Sequence, residues 1–178
     1  MQIRKLQIGV IIVSICLLCL IAHSQEPVQF ADLTPQNLSN LKHAAEQGDA
    51  GSQFELGRRL ALGESVSEND AEAAKWYRMA AEQGNAPAQF FLGLMYSLGD
   101  GIPQNENKAI EWYRSSAEQG YLDAQISLAL ELDRVDKIEA AKWWRLAAEQ
   151  GDAMAQTQTG LAFRYGLGVP ENDSRAVK

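Results

Sequence analysis

The sequence predicts an all-α fold, an α/α superhelical solenoid built as a right-handed array of helix pairs, and three observations predict it. The tetrapeptide Ala-Glu-Gln-Gly occurs four times, ending at Gly48, Gly84, Gly120 and Gly151, at intervals of 36, 36 and 31 residues. Self-similarity at that period belongs to stacked arrays rather than to one closed core. After the first two tetrapeptides a packing stripe recurs at i, i+3, i+4 and i+7, as Gln53, Leu56, Gly57 and Leu60 and then as Gln89, Leu92, Gly93 and Tyr96, the spacing of one helix face. Glycine and proline then punctuate the pattern at Gly63, Gly99 and Gly166, with Gly101-Ile102-Pro103 and Gly168-Val169-Pro170 reading as turns around an aliphatic plug.

In chain order, Arg4 and Lys5 precede an apolar run from Ile8 to Ile21, followed by the small-residue site Ala22-His23-Ser24. This is the layout of a secretory signal peptide over residues 1–24, cleaved after Ser24. The run is 14 residues long, short of the roughly 20 a spanning helix needs, so an uncleaved membrane anchor is the alternative. Both cysteines, Cys16 and Cys19, lie inside it, preceded by Ile15 and Leu18 rather than by the small residue of a lipoprotein signal. The mature chain then has no cysteine, which removes disulfides, thiol catalysis and thiolate metal sites. Losing Arg4 and Lys5 takes the formal charge from −7 to −9. An acidic chain repels nucleic acid and anionic lipid and favours a basic protein or peptide partner. The expected location is periplasmic or extracellular, without stable membrane insertion after cleavage.

Residues 25–33 read as a linker and 34–47 as an N-terminal capping helix, opened by Thr34-Pro35 and resembling the second half of a repeat. The repeats are expected at 48–83, 84–119, 120–150 and 151–178. Asp49, Asn85 and Asp152 follow their glycines as helix N-caps. A mid-helix glycine costs about 1 kcal/mol relative to alanine, so its recurrence at Gly57, Gly93 and Gly160, with Ala129 in the third copy, predicts a close helix crossing. The second helices carry Ala73-Ala74-Lys75-Trp76-Tyr77-Arg78, Ala109-Ile110-Glu111-Trp112-Tyr113-Arg114 and Ala140-Ala141-Lys142-Trp143-Trp144-Arg145, which hold all four tryptophans. One ring per helix fills a solenoid core. Neighbouring positions cannot both face inward, so Tyr77, Tyr113 and Trp144 are expected to be partly exposed.

The copies are unequal. The third replaces the Gly-x-Gly-x-Pro loop with Asp133-Arg134-Val135, and the first has Ser65 and Ser67 where the motif has glycine and proline, so its loop is expected to be looser. The fourth reaches Lys178 before a Trp-Tyr pair, leaving an apolar end for further repeats or an oligomeric partner to cover.

Leu92-Gly93-Leu94-Met95-Tyr96, Gly99-Asp100-Gly101-Ile102-Pro103, Lys108-Ala109-Ile110-Glu111-Trp112-Tyr113-Arg114 and Ala117-Glu118-Gln119-Gly120 together resemble the Sel-1-like repeat family, relatives of the tetratricopeptide repeats, over roughly residues 41–178. The resemblance implies an interaction scaffold whose ligand lies on a concave side formed by first-helix positions. Those positions are Arg58, Leu94, Leu130, Asp133, Arg134, Leu161 and Arg164, with Thr157 beside them, while Phe54, Phe90 and Ile126 are explained by packing between repeats. Arg58, Asp133, Arg134 and Arg164 stand out because no packing argument requires a charge there. The resemblance also implies an alternative, an envelope enzyme or regulator acting on peptidoglycan or β-lactams, but the relatives behind it are cysteine-rich. Glu46, Glu82, Glu118 and Glu149 occur once per repeat and report register rather than a catalytic pair. His43 has no second histidine in the mature chain, and no phosphate loop or zinc-ligand spacing occurs. The expected protein is a non-catalytic exported scaffold that binds a protein or peptide and needs no cofactor or metal.

Overall fold

The computed structural model describes residues 35–166, and among these every regular element is a helix. The expected signal peptide, the linker and the turn at Gly168-Val169-Pro170 lie outside the described residues. The elements are α1 (Pro35–Glu46), α2 (Ala50–Leu62), α3 (Asp70–Glu82), α4 (Ala86–Leu98), α5 (Glu106–Glu118), α6 (Leu122–Leu132), α7 (Lys137–Glu149) and α8 (Ala153–Tyr165). Each packs most heavily on the helices before and after it in sequence, the nearest-neighbour order of a solenoid. Thus α2/α3, α4/α5 and α6/α7 are the helix pairs, with α1 stacked ahead of them.

The tetrapeptides are the joints. At each one the chain turns through a glycine of positive φ, 96° at Gly48, 88° at Gly84, 86° at Gly120 and 95° at Gly151. The Asp49 N–H donates to the Ala44 carbonyl (3.1 Å) and the Gly48 N–H to Ala45 (3.0 Å), a pairing repeated at Asn85 and Gly84, Tyr121 and Gly120, and Asp152 and Gly151. These bonds satisfy last-turn carbonyls that a helix leaves orphaned. The next residue caps the following helix: Asp49 accepts from the Ser52 N–H, Asn85 from Ala88 and Asp152 from Ala155. In the third copy Tyr121 occupies the cap position, and its side chain does not cap the helix.

The expected glycine crossing is present at Gly57 and Gly93. A Cβ on Gly93 would lie 2.8 Å from Cδ1 of Tyr113 and 3.2 Å from the Ala109 carbonyl oxygen, and one on Gly57 would lie 2.9 Å from Tyr77 and 3.3 Å from the Ala73 oxygen. The tyrosine ring therefore lies directly on the glycine. This reverses the expected sidedness of the aromatic pairs: Tyr77, Tyr113 and Trp144 are buried, and Trp76, Trp112 and Trp143 are half-buried. The gap left by the glycine faces the second residue of each pair, and the first, about 100° around the helix, sits at the edge of the core. Rings also join successive copies. Tyr77 stacks on Phe91 (5.5 Å between centroids) and Phe90 meets Tyr121 at 5.4 Å, while Phe90 and Tyr113, 5.8 Å apart, pair within one copy. Phe90 and Ile126 are buried and Phe54 half-buried, as packing between repeats requires.

The loop joining the helices of a pair is itself a packing element. Val66 and Ile102 rest against the core as the aliphatic plug. Gly101 has φ +67°, and a Cβ there would lie 2.6 Å from the Ala71 nitrogen, so the α4–α5 loop presses on the first turn of α3. Burial there, with the nearby Asp70 carboxylate, pushes the Asp100 carboxyl above its ordinary value. The first-copy loop was expected to be looser, yet it holds the same left-handed positions at Gly63 and Ser65, and Ser65 (φ 62°) is the one non-glycine residue of positive φ among the described residues.

A left-handed L-residue costs roughly 1–2 kcal/mol. Ser65→Gly should therefore stabilise the protein by about 0.5–1 kcal/mol after the added chain entropy of glycine, read as a raised urea midpoint. Gly101→Ser should lower stability by more than that gain, because strain and overlap with α3 act together. Equal and opposite changes would show that the contact with α3 is slack.

Candidate interaction surface

A run of buried amides holds the copies in register. Gln53, Gln89 and Gln125 are buried on the first helices, where an unpaired amide would cost about 1–3 kcal/mol. Each donates its Nε2 backwards to the carbonyl of the preceding second helix, Gln53 to Ala45 (3.0 Å), Gln89 to Ala81 (3.1 Å) and Gln125 to Ala117 (3.2 Å). Each Oε1 accepts from the glutamine of the next tetrapeptide, from Gln83 at 2.7 Å, Gln119 at 2.7 Å and Gln150 at 2.8 Å. The first helices α2, α4 and α6 are thus each tied to the second-type helix on either side. The sequence reading placed Gln53 and Gln89 on the packing stripe but missed this pairing. The signal was there, in two glutamines per copy at constant register.

With the joints and crossings committed to structure, the remaining first-helix positions form the candidate surface. Arg58, Leu94, Leu130 and Leu161 are register-equivalent in α2, α4, α6 and α8; Leu94 and Leu130 are half-buried against the core, and Leu161 is exposed. One turn on stand Ala61, Ser97, Asp133 and Arg164, then Leu62, Leu98, Arg134 and Tyr165. Leu62 and Tyr165 are among the most exposed large apolar side chains, at 50% and 64%. By sequence register the seven predicted residues fall at three positions of the repeat; five stand on the first helices α2, α4, α6 and α8, and Asp133 and Arg134 lie in the loop after α6.

The charges in this set are not alike. Arg58 is half-buried and engaged: its guanidinium donates to Glu55 (2.8 Å) and to Glu64 (2.8 Å), so a charge is required there and the expectation of a free cation is corrected. Glu55 also receives Arg59 at 2.8 Å. Burial would raise the Glu55 carboxyl, but hydrogen bonds from Arg58 and Arg59 hold it below its ordinary value. Arg164 is exposed and lies 5.9 Å from the ring of Tyr165. Asp133 and Arg134 are exposed in the shortened α6–α7 loop. Burial raises the carboxyl of neighbouring Glu131, with the Glu106 charge adding and Arg134 opposing.

A second set of polar contacts links second helices forward to the next copy. Arg78 donates to the Tyr96 hydroxyl (3.0 Å), above whose ring Lys108 sits at 5.2 Å, and Arg114 pairs with Glu139. The hydrogen bond from Arg114 holds the Glu139 carboxyl below its ordinary 4.5. Among the described residues no group of three or more histidine, cysteine, aspartate or glutamate side chains could hold a metal, and no helix is long and apolar enough to cross a membrane.

The Sel1 repeat model matches residues 50–85, 86–121, 123–152 and 153–178. A protective antigen present in uropathogenic Escherichia coli strains, displaying an SLR fold, is 41% identical with a TM-score of 0.72, over 78% of this chain and 31% of that one. A Sel1 repeat protein from Oxalobacter formigenes is 37% identical with a TM-score of 0.75, over 80% of this chain and 60% of its own. The chain thus spans between about a third and three fifths of these relatives. A comparison with curated proteins gives no match.

Two outcomes follow from the geometry. Gln89→Leu should destabilise the protein by about 0.5–1.5 kcal/mol, since it removes the buried bond to Ala81 and the bond from Gln119, whose exposed amide keeps the Ser115 carbonyl, whereas Gln156→Leu, at an exposed position, should change the urea midpoint little. Glu139 has a lowered carboxyl, so its contribution is present above the ordinary 4.5 and disappears as pH falls through the lower folded value. Arg114→Leu should accordingly reduce stability at pH 7, by less than ~1 kcal/mol because the pair is partly solvated. That difference should shrink progressively as pH falls below 4.5, and a gap unchanged between pH 7 and acid would assign the loss to packing.

Proposed function

This chain belongs to the Sel1 repeat family, and from that premise we propose that it is an exported scaffold that holds a protein or peptide against the first-helix face. Sel1 repeats generally serve as non-catalytic scaffolds for protein interaction. What carries the reading to particular residues is the aligned row Leu94, Leu130 and Leu161, with changing neighbours Asp133, Arg134 and Arg164. An aliphatic row of constant register offers affinity without selectivity. Charged positions that differ between copies supply the selectivity. Arg58 closes the row at its first copy by holding Glu55 and Glu64. Its role is to shape the face rather than to meet the partner's charge.

Export rests on the order Arg4-Lys5, apolar run, Ala22-His23-Ser24, with the mature chain beginning at Gln25 in the periplasm or outside the cell. The formal charge of −9 after loss of Arg4 and Lys5 from a chain of −7 favours a basic partner through faster encounter.

The mature chain, immobilised and exposed to extracellular and envelope extract of its own host, should retain a defined partner, with Leu161→Glu and Arg164→Glu each reducing retention at least tenfold. Both positions are exposed on α8, so the fold should survive. Retention unchanged in the double variant, with an unchanged circular dichroism melt, would remove the partner from this face.

A further inference from the structure

The second-helix side of the array carries its own recognition groove at the first copy. Residues 42, 78 and 114 are one register position, as are 60 and 96, and 72, 108 and 139. In two successive copies an arginine at the first of these positions reaches forward from its second helix onto the next copy and closes the space there. Arg78 meets the hydroxyl of Tyr96, and Arg114 meets the carboxylate of Glu139. The first copy lacks this closure. Lys42 stands in place of the arginine, Leu60 in place of Tyr96 and Glu72 in place of Lys108, and among the described residues Lys42 and Glu72 form no ion pair with each other. What remains is a groove of about 560 Å³, with Leu56 and Leu60 at its floor and Trp76, Lys42 and Glu72 along its walls.

From this comparison within the one chain we infer that the groove receives an arginine-bearing peptide segment of another protein, whose guanidinium takes the place that Arg78 and Arg114 fill in the next two copies. Charge agrees with that occupant. Three carboxylates, Glu46, Glu68 and Glu72, face the groove against the single ammonium of Lys42, and all four are exposed. Glu72 is equivalent to Glu139, which already accepts an arginine in the third copy. A guanidinium can take a carboxylate with two parallel hydrogen bonds while its flat face rests on an indole, and Trp76 supplies that indole beside Glu72. An aliphatic neighbour in the peptide would sit over Leu60. Lysine fits less well, since a compact ammonium makes neither the paired bond nor the stacked contact. This surface is separate from the first-helix face, so it stands whether or not a partner binds there.

The test uses the mature chain and a synthetic acetylated, amidated Leu-Arg-Leu peptide, followed by the NMR shift of the Trp76 indole N–H, with Leu-Glu-Leu as the comparison. The arginine peptide should shift that signal saturably and the glutamate peptide should not. Glu72→Lys should weaken binding at least tenfold. Lys42→Arg combined with Leu60→Tyr, which copies the closed second repeat, should do the same without lowering the melting temperature. Glu111→Lys, an exposed acid on α5, should leave it unchanged, and Leu161→Glu should affect capture on the first-helix face but not this peptide. No saturable shift with Leu-Arg-Leu, equal shifts with Leu-Glu-Leu, or full binding by Glu72→Lys would each overturn the inference.

Discussion

The bond on which the array depends is the one between a buried glutamine amide on a first helix and a last-turn carbonyl of the preceding second helix, which takes the amide on its second lone pair beside the N–H of the tetrapeptide glycine. A helix end leaves carbonyls without helical partners, and a stack of helix pairs brings one such end close to every junction. Gln53, Gln89 and Gln125 bond to that end from the next copy, and their own oxygens are answered by Gln83, Gln119 and Gln150. A buried amide tolerates little misplacement, because displacement leaves its own N–H and C=O groups unpaired. Hydrophobic packing favours stacking in many registers; the amides admit one. The Ala-Glu-Gln-Gly tetrapeptide is the visible trace of this requirement, its glycine making the turn and its glutamine making the bond, while its glutamate stays exposed.

The shortened third copy shows which parts of a repeat the lock ignores. The paired glutamines are 30 residues apart in the first two copies and 25 apart in the third, yet the bond closes at 2.7, 2.7 and 2.8 Å. Two of the five missing residues are lost from the end of α6, which is 11 residues long against 13 for α4, and the other three from the loop that follows it. The deletion also removes the loop that presses on the preceding copy at Gly101. Its place is taken by exposed Asp133, Arg134 and Val135, free of any structural duty toward a neighbouring helix. A segment outside both the lock and the core can change without disturbing either.

Much of this was legible because period and glycine placement are local signals. The tetrapeptides located the joints, and a glycine that recurs in mid-helix against its own propensity announced the crossing at Gly57 and Gly93. The orientation of the aromatic pairs was not legible, since Trp76-Tyr77 reads equally well with either ring inward until the tyrosine is seen resting on its glycine. The engagement of Arg58 was hidden for a different reason: Glu55 is one helical turn away in sequence, but Glu64 reaches it only because the loop after Gly63 folds back. The open groove at Lys42 was invisible in any single copy. It emerges when three copies are superposed and one is found to lack the arginine that the others share.

Recognition and register are therefore carried by different atoms. The amides and tetrapeptide glycines occupy the joints, the Gly–Tyr contacts occupy the interior of each pair, and what is left on either side of the array is bound by neither. Substitutions at Leu161, Arg164 or Glu72 share no hydrogen bond with the glutamine chain, and effects at sites without common partners add with little coupling. A repeat built this way can exchange the residues that meet a partner while the spacing of its helices stays the same. The differences among its copies are then read as chemistry, and the identities as mechanics.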